Sequence, residues 1–346
     1  MWVKRLKVQN FRNLRSATLE VGGPGAYVLH GRNGAGKTSL LEALSFLVPG
    51  RGLHRAGPDD VRTHATPDGG FFADIVRPHG ALTVGMRFGQ GQRQVNVNGQ
   101  RAQNQAELAA VGPVAWFTPE MDRLFADAPT PRRRFLDRLV YGRFPEHAAD
   151  LGRYTHHLQN RAKLLKTPTP DADWLAQEER QLAVRGALVT QRRAAYLAEL
   201  APYLSDVRVA LSAQPDDPGA LADLFAKNRA RDAKFGVTHA GPHRAELTGT
   251  LGDVPLDEAS MGQHKRAVLG LLIGHARLLK ATLGEAPCLL LDEAAAHLDA
   301  AARHALYAEL LALGAQLWMT GTEPALFADL PGATFLHVAD GAVHAG

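Results

Sequence analysis

Gly31-Arg32-Asn33-Gly34-Ala35-Gly36-Lys37-Thr38 is the stretch whose reading decides the fold. It fits G-x-x-x-x-G-K-[ST], the phosphate-binding P-loop. The glycines let the backbone curl so that its N–H groups point inward around phosphate oxygens. Lys37 brings a mobile positive charge to the β- and γ-phosphates, and Thr38 offers a hydroxyl to Mg²⁺. The flanks agree with this reading. Ala26-Tyr27-Val28-Leu29 reads as a buried strand, and Ser39-Leu40-Leu41-Glu42-Ala43-Leu44 as a helix whose N-terminus faces the phosphates. Every residue from Gly31 to Ser39 is therefore a candidate nucleotide contact. The loop predicts a bound nucleotide and leaves open what the nucleotide is for.

A second segment supplies the other half of such a site. Cys288-Leu289-Leu290-Leu291-Asp292-Glu293 is an apolar strand ending in two carboxylates, the Walker B arrangement. Asp292 is placed to hold Mg²⁺ directly or through water. Glu293, one residue on, is placed to orient or deprotonate an attacking water. Lys37, Asp292 and Glu293 form the candidate catalytic set.

Three further segments each admit two readings. Ser260-Met261-Gly262-Gln263 opens an apolar helical pattern and resembles the signature motif of ABC-type ATPases; a serine is also an ordinary helix N-cap. Ala296-His297-Leu298-Asp299 stands where that superfamily has its D-loop, and Asp299 equally suits the N-cap of the next helix. Glu120, in Phe117-Thr118-Pro119-Glu120, stands at the Q-loop position as a candidate water or metal contact, or as a first-turn carboxylate. Trp318-Met319-Thr320-Gly321-Thr322 ends a strand where ABC transporters usually carry a histidine, so Thr320 or Thr322 takes that place and slow hydrolysis is implied. The resemblance also implies that the signature serine of one subunit meets the γ-phosphate held by another. Two ATP molecules would then be sandwiched in a head-to-tail dimer.

The bulk properties narrow the class. With 346 residues, 45% of them hydrophobic, the chain is long enough for a large core and two structural units. No apolar run reaches the length of a membrane span. Met1-Trp2-Val3-Lys4-Arg5-Leu6 runs straight into an alternating strand pattern rather than a signal peptide. Cys288 is the one cysteine, so no disulfide framework forms, and no metal-binding Cys/His spacing occurs. These features predict a soluble cytoplasmic protein without a membrane partner. The net charge of +4 by itself barely favours a nucleic-acid partner. Its distribution says more: residues 121–170 hold ten basic residues against five acidic ones.

The pattern along the chain predicts an α/β fold. Strands are expected at 3–9, 16–21, 71–77, 81–88, 93–97 and 113–117, with Asn98-Gly99 as a tight turn. From about 119 to 233 the pattern becomes helical. A long helix is expected over 146–166, and Asp171 or Asp173 can cap the next, to about 200. A strand near 245–251 precedes helix 261–283, strand 287–291, helix 299–313 and strands 315–319 and 334–338. Residues 1–120 and 240–346 therefore read as one discontinuous head, and 121–239 as an inserted, mainly helical lobe. Sustained heptads are absent from the insert, which argues against an extended coiled-coil arm.

Four segments carry a closer resemblance: Asn10-Phe11-Arg12-Asn13-Leu14, His30 to Ala43, Pro131-Arg132-Arg133-Arg134-Phe135-Leu136-Asp137, and Gly241-Pro242-His243-Arg244-Ala245-Glu246-Leu247. Together they resemble the RecF family of bacterial recombination-repair proteins, relatives of the SMC-type ATPases, over nearly the whole chain. The resemblance implies an ABC/SMC-head-like P-loop ATPase without a long coiled coil. It implies weak ATP hydrolysis, an ATP-dependent homodimer that clamps DNA (single-stranded, gapped or duplex junction), and action with RecO and RecR to load RecA at gaps. Arg12 and Asn13 would reach the nucleotide. Arg132, Arg133, Arg134, Arg138, Arg153, Arg161 and Lys163 are candidate phosphate contacts, although some must face solvent without a partner. Aromatic residues are sparse in the insert, which favours backbone recognition over base stacking. Gly241-Pro242-His243-Arg244 reads as a turn that shapes the exit of the insert, or as a DNA or nucleotide contact. Two other classes compete: the ATPase subunit of an ABC transporter, and a small-molecule P-loop kinase. The missing histidine and glutamine and the basic insert weigh against the first. The Asp292-Glu293 pair and the signature segment weigh against the second.

Overall fold

The computed structural model describes residues 1–64, 66–339 and 341–345. The chain opens with β1 (Trp2–Phe11), β2 (Leu14–Glu20), β3 (Gly25–His30) and α1 (Lys37–Ser45). It continues through β4 (Asp68–Arg77), β5 (Gly80–Gly89), β6 (Gln92–Val97), β7 (Gln100–Arg101) and β8 (Val114–Phe117). There follow α2 (Pro129–Arg143), α3 (His147–Leu164), α4 (Ala172–Leu200), β9 (Val207–Leu211), α5 (Pro218–Lys227), α6 (Arg229–Phe235), β10 (Leu247–Leu251) and β11 (Val254–Pro255). The last part holds α7 (Met261–Leu283), β12 (Cys288–Leu291), α8 (Ala300–Ala312), β13 (Gln316–Gly321), β14 (Thr334–Ala339) and β15 (Ala342–Ala345). Two compact units result: Met1–Arg123 with Ser260–Gly346, and Leu124–Ala259. Among the described residues no helix is long and apolar enough to cross a membrane.

The first unit contains two six-stranded sheets. One is antiparallel, in the order β2-β1-β4-β5-β6-β7, and one is mixed, in the order β15-β14-β3-β13-β12-β8. Within the mixed sheet β14, β3, β13, β12 and β8 run parallel. Their carboxyl ends therefore share one edge, where α/β sheets bind ligands. Helix α1 packs on β1 of one sheet and on β8, β12 and β13 of the other. Leu40, Leu41, Ala43 and Leu44 are completely buried as a result. Each fully buried Leu contributes about 1.5–3 kcal/mol. Phe11 meets Phe46, Phe71 and Phe88 edge-on, closing the space between α1 and the antiparallel sheet. Asn98 and Gly99 both adopt positive φ, 51° and 78°, as a two-residue hairpin between β6 and β7 requires.

The second unit is built on an antiparallel pair, α3 and α4, with Asp171 capping α4 through the Asp173 and Trp174 N–H groups at 3.0 and 2.9 Å. It differs from the sequence expectation in extent. Residues 240–259 fall in this unit and not in the head, because β10 pairs antiparallel with β9, and β11 adds to β10. The insert is thus a helical lobe with its own three-stranded sheet.

Buried ion networks hold this unit. Arg161 is wholly buried. It donates to Glu179 (3.0 Å), Asp232 (2.7 Å), the Thr238 hydroxyl (2.9 Å) and the Phe225 carbonyl (2.8 Å). Arg193 grips both oxygens of buried Asp137 at 2.8 Å, and His147 Nε2 lies 2.8 Å from the same carboxylate. Burial pushes Asp137 upward, but Arg193 and His147 together hold it well below the usual carboxylate range.

The Gly241-Pro242-His243-Arg244 segment belongs to the same framework. Arg193 donates to the Pro242 carbonyl at 2.7 Å, and Arg244 to the Thr238 carbonyl at 2.9 Å. His243 Nε2 donates to that carbonyl at 2.8 Å, and Nδ1 accepts from the Tyr154 hydroxyl at 2.6 Å. Burial pulls His243 down to about 4, so the ring is neutral near pH 7.

Arg161→Met should destabilise the protein by about 3–5 kcal/mol in urea unfolding, because it strands buried carboxylates. A loss under 1 kcal/mol would show that Arg161 does not hold this network.

Candidate functional site

Strand β13 lies between the P-loop strand β3 and the Walker B strand β12. Register aligns Leu291 with Met319 and Gly321 with His30, so β3 and β13 end together and β12 ends two residues earlier, level with Met319 and Val28. Gly31 and Asp292 sit just past the ends of β3 and β12, and Thr320 is the next-to-last residue of β13. Gly31 leaves β3 at φ 145°, where a Cβ would stand 2.2 Å from the Val338 carbonyl oxygen. Gly36 enters α1 at φ 113°, where a Cβ would stand 2.5 Å from Leu14 Cδ2. Neither position admits a side chain, and the curl of Gly31–Lys37 follows. The Ala35 N–H closes a turn to the Arg32 carbonyl at 3.2 Å. Arg32, Asn33 and Gly34 stay exposed at its crest.

Side chains fix the rest of the loop. Lys37 Nζ donates to the Gly31 and Arg32 carbonyls at 2.8 and 3.0 Å. Burial lowers its pKa, an effect opposed by the Glu293 and Asp292 charges. The Thr38 hydroxyl donates to Asp292 at 3.0 Å, and the Thr320 hydroxyl to the same carboxylate at 2.6 Å. Thr320 also accepts the Glu293 N–H at 3.0 Å. Glu293 takes a positive φ of 50° and turns an exposed side chain toward the loop.

The turn between β1 and β2 is only Arg12-Asn13, and it reaches the P-loop. The Asn13 amide donates to the Gly34 carbonyl and accepts from the Ser39 hydroxyl at 2.7 Å, tying loop to helix. Arg12 grips both oxygens of buried Glu42 at 2.7 Å and donates to the Asp60 carbonyl at 2.7 Å. Its hydrogen bonds to Glu42 raise its pKa against the opposing effect of burial.

These residues surround an open cavity of about 1040 Å³. Arg12, Asn13, Asn33, Gly34, Gly36, Lys37, Thr38, Ser39 and Glu293 line it. Asp59, Asp60, Arg62, Thr63 and His64 line it too. Sequence reasoning missed these five because the connection from α1 to β4 has no periodicity or motif. Lys265 was missed as well. It is buried on α7, donates to the Ala296 carbonyl at 2.7 Å and lies 5.4 Å from the Phe117 ring centre. It ties α7 to the turn after Asp292.

The other predicted residues lie apart from the cavity. Ser260 and Gln263 form a capping box on α7: Ser260 Oγ accepts the Gln263 N–H at 3.4 Å, and Gln263 Oε1 accepts the Ser260 N–H at 2.8 Å. Gly262 follows in the first turn, and Asp299 caps α8 through the Ala302 N–H at 2.8 Å. Glu120 is exposed in a 3-10 turn after β8. None of these lines the cavity.

In the second unit the candidate phosphate contacts divide. Arg161 is corrected: a fully buried guanidinium with every donor branch engaged is a framework residue and has no access to DNA. Arg132 donates to the Phe125 and Asp127 carbonyls, and Arg133 to the Ala245 carbonyl and the Thr130 hydroxyl. Arg138 lies 5.3 Å from the Phe135 ring centre, and burial pulls its pKa down to about 9. Arg134, Arg153 and Lys163 are exposed.

Arg12→Ala should cost about 3–5 kcal/mol, since it leaves Glu42 buried and unpaired. Arg12→Ala with Glu42→Gln should recover more than half, read by chemical unfolding. Equal losses in the single and double variants would contradict the pairing.

Comparison with known proteins places this geometry in a family. A family model described as an AAA domain matches residues 5–112. The chain is similar to the DNA replication and repair protein RecF of Rhizobium meliloti (strain 1021), with 38% identity covering 99% of this chain and 98% of that one. In fold it is similar to a solved structure of the recombination mediator protein RecF with ATP, at TM-score 0.88 and 24% identity, covering 100% of this chain and 97% of that one. An SMC head bound to the winged-helix domain of ScpA is more distant, at TM-score 0.56 and 14% identity, covering 100% of this chain and 98% of that one. The chain belongs to the RecF family of DNA replication and repair proteins.

Proposed function

We propose that this protein is an ATP-gated DNA clamp of recombinational repair, in which ATP closes two subunits head to tail. One observation carries the reading. The cavity gathers Lys37, Thr38 and Glu293, while Ser260, Gly262 and Gln263 lie outside it. A cavity of this kind is half of a site, and a second copy supplies the remainder. The similar RecF whose structure holds ATP supports the choice of nucleotide.

In this reading the P-loop amides and Lys37 receive the β- and γ-phosphates. Thr38 and Asp292, hydrogen-bonded at 3.0 Å, offer a hydroxyl and a carboxylate to Mg²⁺. That donor set suits a hard cation that keeps waters and takes phosphate oxygens. Mg²⁺ would neutralise phosphate charge there. Glu293 orients the attacking water. Thr320 fixes Asp292 and the Glu293 backbone through its single hydroxyl. It cannot act as the proton-carrying switch that a histidine provides, so turnover is weak and the bound state persists. Asn13 and Arg12 shape the cavity wall. Asp299 and the Ser260–Gln263 cap meet the partner's nucleotide. Glu120 stays a candidate water contact in the closed dimer.

DNA lies against the second unit, with the exposed Arg134, Arg153 and Lys163 as phosphate contacts. The RecF of the solved structures is described as a mediator in the RecFOR pathway. RecO and RecR are accordingly proposed as partners, with RecA loading at gaps as the outcome.

Light scattering with ATP tests the dimer. Lys37→Met should abolish it. Glu293→Gln should prolong it. Ser260→Arg should block it while monomer ATP binding survives. A Ser260→Arg dimer of wild-type stability would refute the shared site.

A further inference from the structure

We propose that the end of the α3–α4 hairpin is a nucleic-acid contact for unpaired nucleotides, with Lys163, Lys166, Arg231 and Lys234 meeting phosphates and Phe235 stacking on a base. This rests on the DNA-binding reading above and specifies the kind of DNA recognised.

The structure brings the elements together. Arg161 binds Asp232 and Thr238 and so pins α6 against α3. Ala162, Leu165 and Lys166 then share a crevice with Ala233, Gly236 and Val237. Residues 233–237 are all exposed. Among them Phe235 is 60% exposed and Val237 44%, an unusual placement for apolar groups that could be buried. Phe235 is flanked: Lys234 Nζ lies 5.5 Å from its ring centre, and His239 meets it at 5.7 Å with the planes 75° apart. The ring is held out with a cation over one face.

The charge is mostly positive, with exposed Asp171, the cap of α4, and Asp173 as the acids at the start of α4. Residues 158–170 contain no acid, and residues 224–240 contain one, Asp232. Asp232 is buried and already bound by Arg161 and His239. Lys163, Lys166, Arg231 and Lys234 are all exposed and, among the described residues, have no acidic partner. A helix dipole favours a cation in a final turn, which covers Lys163 and Lys234. It does not account for Lys166 beyond the end of α3, for Arg231 within α6, or for the exposed ring. Four cations of α3, its C-terminal end and α6, one of them at the exposed ring, complement a polyanion whose bases are flat and apolar.

An acidic peptide with apolar side chains is the other polyanion to weigh. Such a peptide needs a pocket to bury a side chain, and the crevice between the end of α3 and the end of α6 is too tight to receive one. A stacked base needs only the exposed ring. Nucleic acid with unpaired bases is therefore favoured.

The test uses the full chain with ATP and Mg²⁺. Fluorescence anisotropy compares a blunt duplex with the same duplex carrying a single-stranded overhang, across a salt series. Phe235→Ala should weaken binding of the overhang DNA about tenfold and leave the blunt duplex within about twofold. Lys163→Gln with Lys234→Gln should weaken both and reduce the salt slope by about 1.5. Equal loss on both probes with Phe235→Ala, or no loss on either, overturns the stacking contact. An unchanged salt slope in the lysine double variant overturns the phosphate contact. So does tight binding of a labelled acidic, apolar peptide that Phe235→Ala abolishes. If the wild type binds neither DNA, it is the DNA-binding reading itself that falls.

Discussion

The Asp292 carboxylate is the constraint on which the first unit turns. A nearly buried carboxylate is costly unless its oxygens are satisfied. Here two hydroxyls serve it, Thr38 from the P-loop helix and Thr320 from β13. Both can reach it because β13 runs between β3 and β12, and β12 ends at Leu291, level with Met319, so that Asp292 follows beside Thr320. At the other end of β13, Gln316 exchanges two hydrogen bonds with the Val3 backbone, at 2.8 and 2.9 Å. The same strand thus ties the mixed sheet to the antiparallel one. Helix α1 is enclosed between them, and its one buried acid, Glu42, is matched by Arg12 from the β1–β2 turn.

The parts of this arrangement that were legible in sequence are those with chemical identity and fixed spacing. Gly31–Thr38 and Asp292-Glu293 carry their roles in residue type, and the strand and helix flanks follow from apolar runs. Arg12 and Asn13 were legible only through family resemblance. Asp59 to His64 line the same cavity from a connection with no pattern, and tertiary folding alone brings them there. Lys265 looked like one charge on an amphipathic helix. Its burial beneath the turn after Asp292 depends on how α7 meets β12.

In the insert, sequence misled in a specific way. A run of arginines reads as a phosphate-binding surface, because charge is visible and burial is not. Arg161 is buried and matched by acids distant in sequence, Glu179 and Asp232. The boundary near 240 failed for a related reason. Strand β10 completes a sheet with β9, whose five residues are too short a run to stand out beside the surrounding helices. Exposed apolar groups such as Phe235 were equally hidden, since a phenylalanine in sequence reads as core.

In the proposed function, Arg12, Asn13, Thr320 and Lys265 position a phosphate site whose remaining contacts come from a second copy. A crystal structure of Glu293→Gln with ATP and Mg²⁺ tests this most directly. The account predicts two copies head to tail, with Ser260 of each within hydrogen-bond distance of the γ-phosphate held by Lys37 of the other. ATP enclosed in the cavity of a single copy, with no Ser260 near its phosphates, would contradict it.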